Sequence, residues 1–316
     1  MSGVNVKKLV EKMELTVFTP HIDLEQVQIK KRDVNRPALQ LNGYFEHFQE
    51  DRVQILGTVE YSFLQHMDPI KKDTIYHEFL SYKMPCVIFC RGFEPGEAFL
   101  RLANKNGIPC LGTKKETSAF MAELIYLLSF ELAPCISIHG VLVDVYGEGV
   151  LIMGESGIGK SEAALELIRR GHRLVTDDVV EIRKINDRTL VGTSPEVTRY
   201  FIELRGIGII DVKTMFGVES VKEKQNIDLV IKLEEWKKDK EYDRMGLEDE
   251  YMELLGNKVV CQSLPIRPGR NLAVICEAAA VNYRTKKMGY SAAHELYQRV
   301  QRNLGLNDDD CKDLEA

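Results

Sequence analysis

The residues Gly154-Glu155-Ser156-Gly157-Ile158-Gly159-Lys160-Ser161 set glycines, a lysine and a serine at the spacing G-x-x-x-x-G-K-[ST]. Glycines at these places let backbone N–H groups converge on phosphate oxygens, and a helix starting at Lys160 would add its dipole to the same point. Lys160 would reach the terminal phosphates, and the Ser161 hydroxyl would complete a Mg²⁺ shell shared with them. The chemistry implied is phosphoryl transfer from a nucleotide. Asp177 and Asp178 follow 17 and 18 residues after Lys160. One carboxylate would take the proton of an attacking hydroxyl while the other contacts metal-bound water; the plainer alternative is an Asp pair that caps a turn. His139, with Ile138 and Val141 beside it, reads on its own as a satisfied core histidine.

The elements around these residues follow from pattern. Ile136 to Tyr146, a turn at Gly147-Glu148-Gly149 and Val150 to Met153 read as a β-hairpin whose second strand runs into the glycine loop. From Lys160 the sequence is strongly helix-forming, with basic residues in its last turn and Gly171 as the stop. Arg173 to Thr176 is a further strand, so the Asp pair sits at its carboxyl end, where α/β sheets border ligand crevices. Ile202 to Val212 places glycines and charges inside an apolar run, which weakens a simple strand and suits close backbone approach to a ligand. Pro265-Ile266-Arg267-Pro268-Gly269-Arg270-Asn271 is a basic turn, either solvated or suited to holding a phosphate or a carboxylate, before an expected buried strand from Leu272 to Cys276. The amphipathic stretch Ser291 to Asn303 is an expected C-terminal helix, suited to docking a partner protein or a neighbouring subunit, although ordinary packing is the more economical account.

The length of 316 residues favours two domains. Residues 1–133 alternate short strand-like runs such as Val53 to Leu56 and Val87 to Phe89 with helical stretches, above all Ser118 to Leu132, which implies a small α/β domain. Pro134 breaks the last helix, so residues 134–316 form the second domain. Composition is 44% hydrophobic and 28% charged, with net charge −6. Such a chain folds, and its charge gives no general attraction to nucleic acid or membrane. The seven cysteines stand mostly in apolar runs and read as buried thiols of a reducing compartment, with no zinc site at Cys86 and Cys90. No signal peptide or apolar span is evident, so a cytoplasmic location is expected.

Taken together, the loop Gly154 to Ser161 with Glu162, Thr176-Asp177-Asp178, the run Glu203 to Asp211, and Pro265 to Asn271 resemble the HPr kinase/phosphorylase family, bacterial enzymes that modify a serine of the phosphocarrier protein HPr. The resemblance covers essentially the whole chain. It implies a C-terminal P-loop catalytic domain related in fold to phosphoenolpyruvate carboxykinase, an N-terminal domain of uncertain role, and a homohexamer acting in carbon catabolite repression. It assigns His139, Lys160, Asp178 and Arg244 to the active site, residues 154–161 to ATP, and Ser161 with Glu203 to Mg²⁺. Pyrophosphate is implied as a second donor, and inorganic phosphate as the acceptor in the reverse reaction. Residues 202–211 would serve both reactions and 265–270 chiefly dephosphorylation. Arg244 would otherwise read as part of a solvated charged loop. Two rivals stand beside this reading: a small-molecule or carboxykinase-like kinase, and a module that senses ATP without transferring phosphate. The second has no use for a positioned base such as Asp178.

Overall fold

Every residue of Val53–Leu56 and of Val87–Phe89 is buried, the mark of strands covered on both faces. They lie at the centre of a five-stranded sheet ordered Thr16–Val17, Cys110–Gly112, Val87–Phe89, Val53–Leu56, Val34–Asn35, parallel except for the first strand. One face is covered by the helices Thr58–Gln65, Pro69–Phe79 and Glu97–Asn106 through Leu64, Phe79, Phe99 and Leu102. The other is covered by Val6–Met13 and Thr117–Glu131 through Leu9, Phe120 and Leu124. The computed structural model describes residues 3–236, 246–267 and 269–303. Its contacts divide the chain into two compact units, Met1–Ala133 and Pro134–Ala316. The first is thus a three-layer α/β/α unit. Its helix ends follow local chemistry: Asp68 caps the backbone N–H groups of Ile70 and Lys71 ahead of Pro69, and Gly107 closes Glu97–Asn106 in the left-handed conformation.

The second unit is built on a six-stranded sheet ordered Arg173–Thr176, Val141–Val145, Glu148–Gly154, Leu229–Glu235, Asn257–Ile266, Glu250–Leu254. Helices Lys160–Arg169 and Leu272–Lys287 pack on one face through Ala164, Leu167, Cys276 and Ala280. The other face meets a four-stranded antiparallel sheet, Lys224–Asn226, Thr189–Thr193, Val179–Asn186, Cys135–His139. Leu142, Leu151 and Val175 of the larger sheet interlock there with Val180, Ile182 and Leu190 of the smaller. The layers approach so closely at Gly192 that a Cβ would stand 2.3 Å from Leu142 Cδ2.

Several expectations are corrected. Ile136 to Tyr146 is not one strand: Cys135–His139 belongs to the small sheet and Val141–Val145 to the large one, and the chain crosses between them at Gly140. Leu272 to Cys276 opens a helix of 16 residues, begun by the Asn271 side chain accepting from Val274 N–H. Cys135 is exposed on an edge strand, whereas Cys86, Cys90, Cys110, Cys261 and Cys276 are buried and free; Cys311 lies outside the described residues. The helix Ala292–Asn303 buries none of its residues, and Leu296, Tyr297 and Val300 are exposed, so packing does not account for its apolar positions among the described residues. No helix of the described residues is long and apolar enough to cross a membrane.

Candidate active site

The glycine loop leaves the sheet where the strand Glu148–Gly154 ends between an antiparallel neighbour, Val141–Val145, and a parallel one, Leu229–Glu235. Gly154 has φ +154°, and a Cβ there would lie 2.6 Å from the Leu233 carbonyl oxygen. Gly157 and Gly159 have φ +85° and +101°, a left-handed backbone that side chains oppose. Gly159 caps the helix Lys160–Arg169 without a side-chain hydrogen bond, so the first helical N–H groups remain directed at the loop's interior. Lys160 is 6% exposed, and its ammonium donates to the carbonyls of Gly154 at 2.8 Å and Glu155 at 2.9 Å. Burial holds its pKa below the ordinary lysine value, against the opposing pull of Asp177 and Asp178. A cation held this way, short of solvation, has a strong appetite for phosphate oxygens.

The strand Arg173–Thr176 carries the Asp pair to the mouth of this loop, and the two carboxylates face different surroundings. Asp177 is buried at 4% exposure and accepts the Ser161 hydroxyl on both oxygens, at 3.0 and 3.1 Å, and the Glu203 N–H at 3.2 Å. Burial raises its pKa, although these donors pull the other way. Asp178 is a non-glycine residue with φ +70°, and its side chain is 63% exposed. Its Oδ1 lies 2.9 Å from His139 Nδ1. The pairing of Cys135–His139 with Val179–Asn186 sets that distance, because His139 stands opposite Val179, and Gly140 N–H donates to the Asp178 carbonyl at 3.0 Å. Left-handed backbone at an aspartate is tolerated through local hydrogen bonding, and both Asp177 and Asp178 line the cleft.

The third wall is the hairpin Phe201–Leu204/Gly208–Asp211, with Gly206 and Gly208 at φ +84° and +104°. Their positive φ makes the turn of this hairpin. Ile202 and Leu204 anchor the hairpin in the core while Glu203 and Arg205 face the loop. Arg205 Nη2 donates to Ser156 Oγ at 2.9 Å, and a Cβ on Gly157 would come within 2.5 Å of its Nη1. The guanidinium thus lies against the glycine loop.

His139, Lys160, Ser161, Asp178 and Glu203 therefore line one cleft, joined by Ser156, Gly157, Gly159, Glu162, Asp177 and Arg205. Glu155 contributes its carbonyl to Lys160, and Ile158 packs against the core. Arg244 lies outside the described residues. The described residues of the 265–270 turn do not line the cleft: Arg267 stacks on the Trp236 ring at 3.7 Å, and Arg270 donates to the Pro265 carbonyl. Sequence reasoning placed Arg205 only within the run 202–211 and gave it no role of its own, since its partner Ser156 is 49 residues away in the chain. The charge inside the apolar run from Ile202 was the available signal.

Residues 4–128 match the family model described as HPr Serine kinase N terminus, and residues 130–300 the HPr Serine kinase C-terminal domain. The chain is 66% identical over 304 residues to HPr kinase/phosphorylase of Lachnoclostridium phytofermentans, covering 96% of this chain and 98% of that one. It is 52% identical to that of Caldicellulosiruptor bescii over the same shares. The solved HPr(Ser) kinase/phosphatase of Coxiella burnetii covers 51% of this chain and 98% of its own at 39% identity, with a TM-score of 0.46. Both family models and the full-length relatives place the chain in the HPr serine kinase family, the HPr kinase/phosphorylases.

Proposed function

We propose that this chain phosphorylates a serine of HPr with ATP or pyrophosphate, and in reverse uses inorganic phosphate to strip phosphoserine from HPr, releasing pyrophosphate. The observation that carries the reading is Asp178, an exposed carboxylate held by His139 in the same cleft as the buried Lys160 ammonium. In the forward direction the serine oxygen forms a bond to the γ-phosphorus, the bond to the bridging oxygen breaks, and the serine proton passes to Asp178. Lys160 and the loop N–H groups disperse the charge that builds on the transferred group. In reverse an oxygen of inorganic phosphate attacks the phosphorus of phosphoserine. Asp178, now protonated, returns its proton to the leaving serine oxygen. His139 orients the Asp178 carboxylate in both directions. Arg244 completes the catalytic set by family resemblance.

The Ser161 hydroxyl, Asp177 and Glu203 are a hard oxygen set suited to Mg²⁺, and the buried Asp177 carboxyl is a group whose ionisation a cation would favour. Ser161 and Glu203 would hold the ion, which when bound supplies charge neutralisation on the phosphates.

Residues 134–316 form the catalytic domain, with the phosphate loop set between strand and helix as in phosphoenolpyruvate carboxykinase, and residues 1–133 the N-terminal domain. Free, buried thiols support a cytoplasmic location. Exposed Ile207, Ile209, Met215 and Val218 support assembly, here into a homohexamer, or docking of HPr.

The test is direct. The full chain with HPr, Mg²⁺ and ATP is expected to add one phosphate to HPr by mass, and excess orthophosphate is then expected to remove it with release of pyrophosphate. HPr of unchanged mass, with nucleotide hydrolysed or a metabolite phosphorylated instead, would sink the reading.

A further inference from the structure

The N-terminal unit holds a cavity that phosphoryl transfer does not use. It opens between the helices Thr58–Gln65, Pro69–Phe79 and Glu97–Asn106, where the strand Val87–Phe89 ends. Its volume is about 210 Å³, and an apolar void of about 150 Å³ already accepts a benzene ring. The floor is apolar and aromatic: Leu64, Phe89 and Phe99, with the edge of Tyr76 against Phe99 at 5.0 Å between centroids.

Three polar features converge on this floor. Tyr76 is 6% exposed, and its hydroxyl has no hydrogen-bond partner among the described residues. The oxygen is not sealed off, so the small remaining exposure of Tyr76 includes it and opens onto the cavity that the residue lines. Burial pushes the phenol up to about 12, which keeps it a proton donor at any physiological pH. With no protein partner among the described residues, that oxygen is left to water, which the oxygen of a bound anion can replace. One turn earlier Lys72 places its ammonium 5.8 Å from the Tyr76 ring centroid and forms no ion pair among the described residues. Across the cavity runs the first turn of Glu97–Asn106, whose cap Gly96 offers no side chain to its N–H groups. The one acid on that turn, Glu97, is exposed and stands at the cavity's edge.

We propose that this cavity binds a small organic anion: a flat, apolar body that lies on Phe89, Phe99 and Leu64, carrying one carboxylate or phosphate that meets Lys72, the Tyr76 hydroxyl and the first turn of Glu97–Asn106. The cavity is a second ligand site, in the opposite unit from the phosphate loop.

The probes are phenyl phosphate and benzoate, with benzyl alcohol as the neutral control, titrated calorimetrically into the full chain. Lys160→Ala supplies the background in which the phosphate loop is disabled. At least one anion is expected to bind with Kd below about 1 mM, equally well to wild type and Lys160→Ala; whichever binds fixes the head group. Lys72→Gln should weaken that binding about tenfold or more, and Tyr76→Phe, which keeps the ring contact with Phe99, about threefold to tenfold. Lys72→Gln leaves the core untouched, so its effect on binding does not depend on folding. The proposal is overturned if neither anion binds at 10-fold that concentration, if benzyl alcohol binds as tightly as the anions, if Lys72→Gln changes nothing, or if binding disappears in Lys160→Ala.

Discussion

Replacing Asp178 with asparagine separates the two carboxylates that sequence alone leaves interchangeable. Asparagine has nearly the same shape and is the other side chain that accepts φ +70°, and the backbone bond from Gly140 N–H to the residue-178 carbonyl is kept. The side chain is 63% exposed, so the fold loses little. Nothing in the contacts of Lys160 or Ser161 involves Asp178 by hydrogen bond, and nucleotide affinity should therefore hold within about twofold. What disappears is the proton acceptor. General-base catalysis contributes on the order of 10²–10⁴ in rate, about 3–5 kcal/mol of barrier. The expected result of Asp178→Asn is thus a kcat lower by that factor in both directions, because the same group acts as base and as acid. The assay is HPr phosphorylation and orthophosphate-dependent dephosphorylation under saturating substrates, beside nucleotide binding by calorimetry. A variant that keeps its forward kcat would refute the role of Asp178, and one that loses nucleotide binding instead would show that Asp178 belongs to the phosphate side of the site.

Arg205→Gln removes the guanidinium that lies on Ser156, and is expected to raise KM for ATP and pyrophosphate roughly tenfold with unfolding midpoints unchanged; an unchanged KM would mean that this contact is only structural. Glu131→Gln concerns stability: burial alone would raise the Glu131 pKa, but hydrogen bonds from Lys12 and Lys8 outweigh it and hold the group below its ordinary value. A depressed carboxyl stabilises the fold above its unfolded pKa and ceases to do so as pH falls through the folded one, so the variant should be less stable by about 1–2 kcal/mol at pH 7. In urea unfolding the gap should close as pH drops below about 4, and a gap that persists or widens in acid would contradict the assignment.

What the sequence disclosed follows from how local each signal is. The glycine loop, Lys160 and the Asp pair are legible because their geometry is written within a few residues of chain: glycines at left-handed positions, a helix start, a strand end. The run from Leu272 misled because five apolar residues carry no period that separates strand from helix; the Asn271 cap and the basic last turn with Arg284, Lys286 and Lys287 were the better guide. The division of Ile136 to Tyr146 between two sheets was hidden because Gly140 is needed for a tertiary reason, a Cβ there standing 2.9 Å from the Ile152 carbonyl oxygen. Arg205 against Ser156, and the contrast between Asp177 and Asp178, depend on which segments meet in space, and no periodicity reports that.

The crossing at Gly140 has a mechanical consequence. The chain passes between the two sheets there and again at Asp177–Asp178, and one backbone bond rivets the two passages together. His139 and Asp178 sit on the rivet, while the glycine loop leaves the larger sheet. Under the proposed mechanism, a slip of one layer over the other would change the gap between donor phosphate and acceptor oxygen. The tight seam at Gly192 and Leu142 would resist such a slip, so on this reading the spacing of His139 and Asp178 from the glycine loop depends on core packing at a distance from the site.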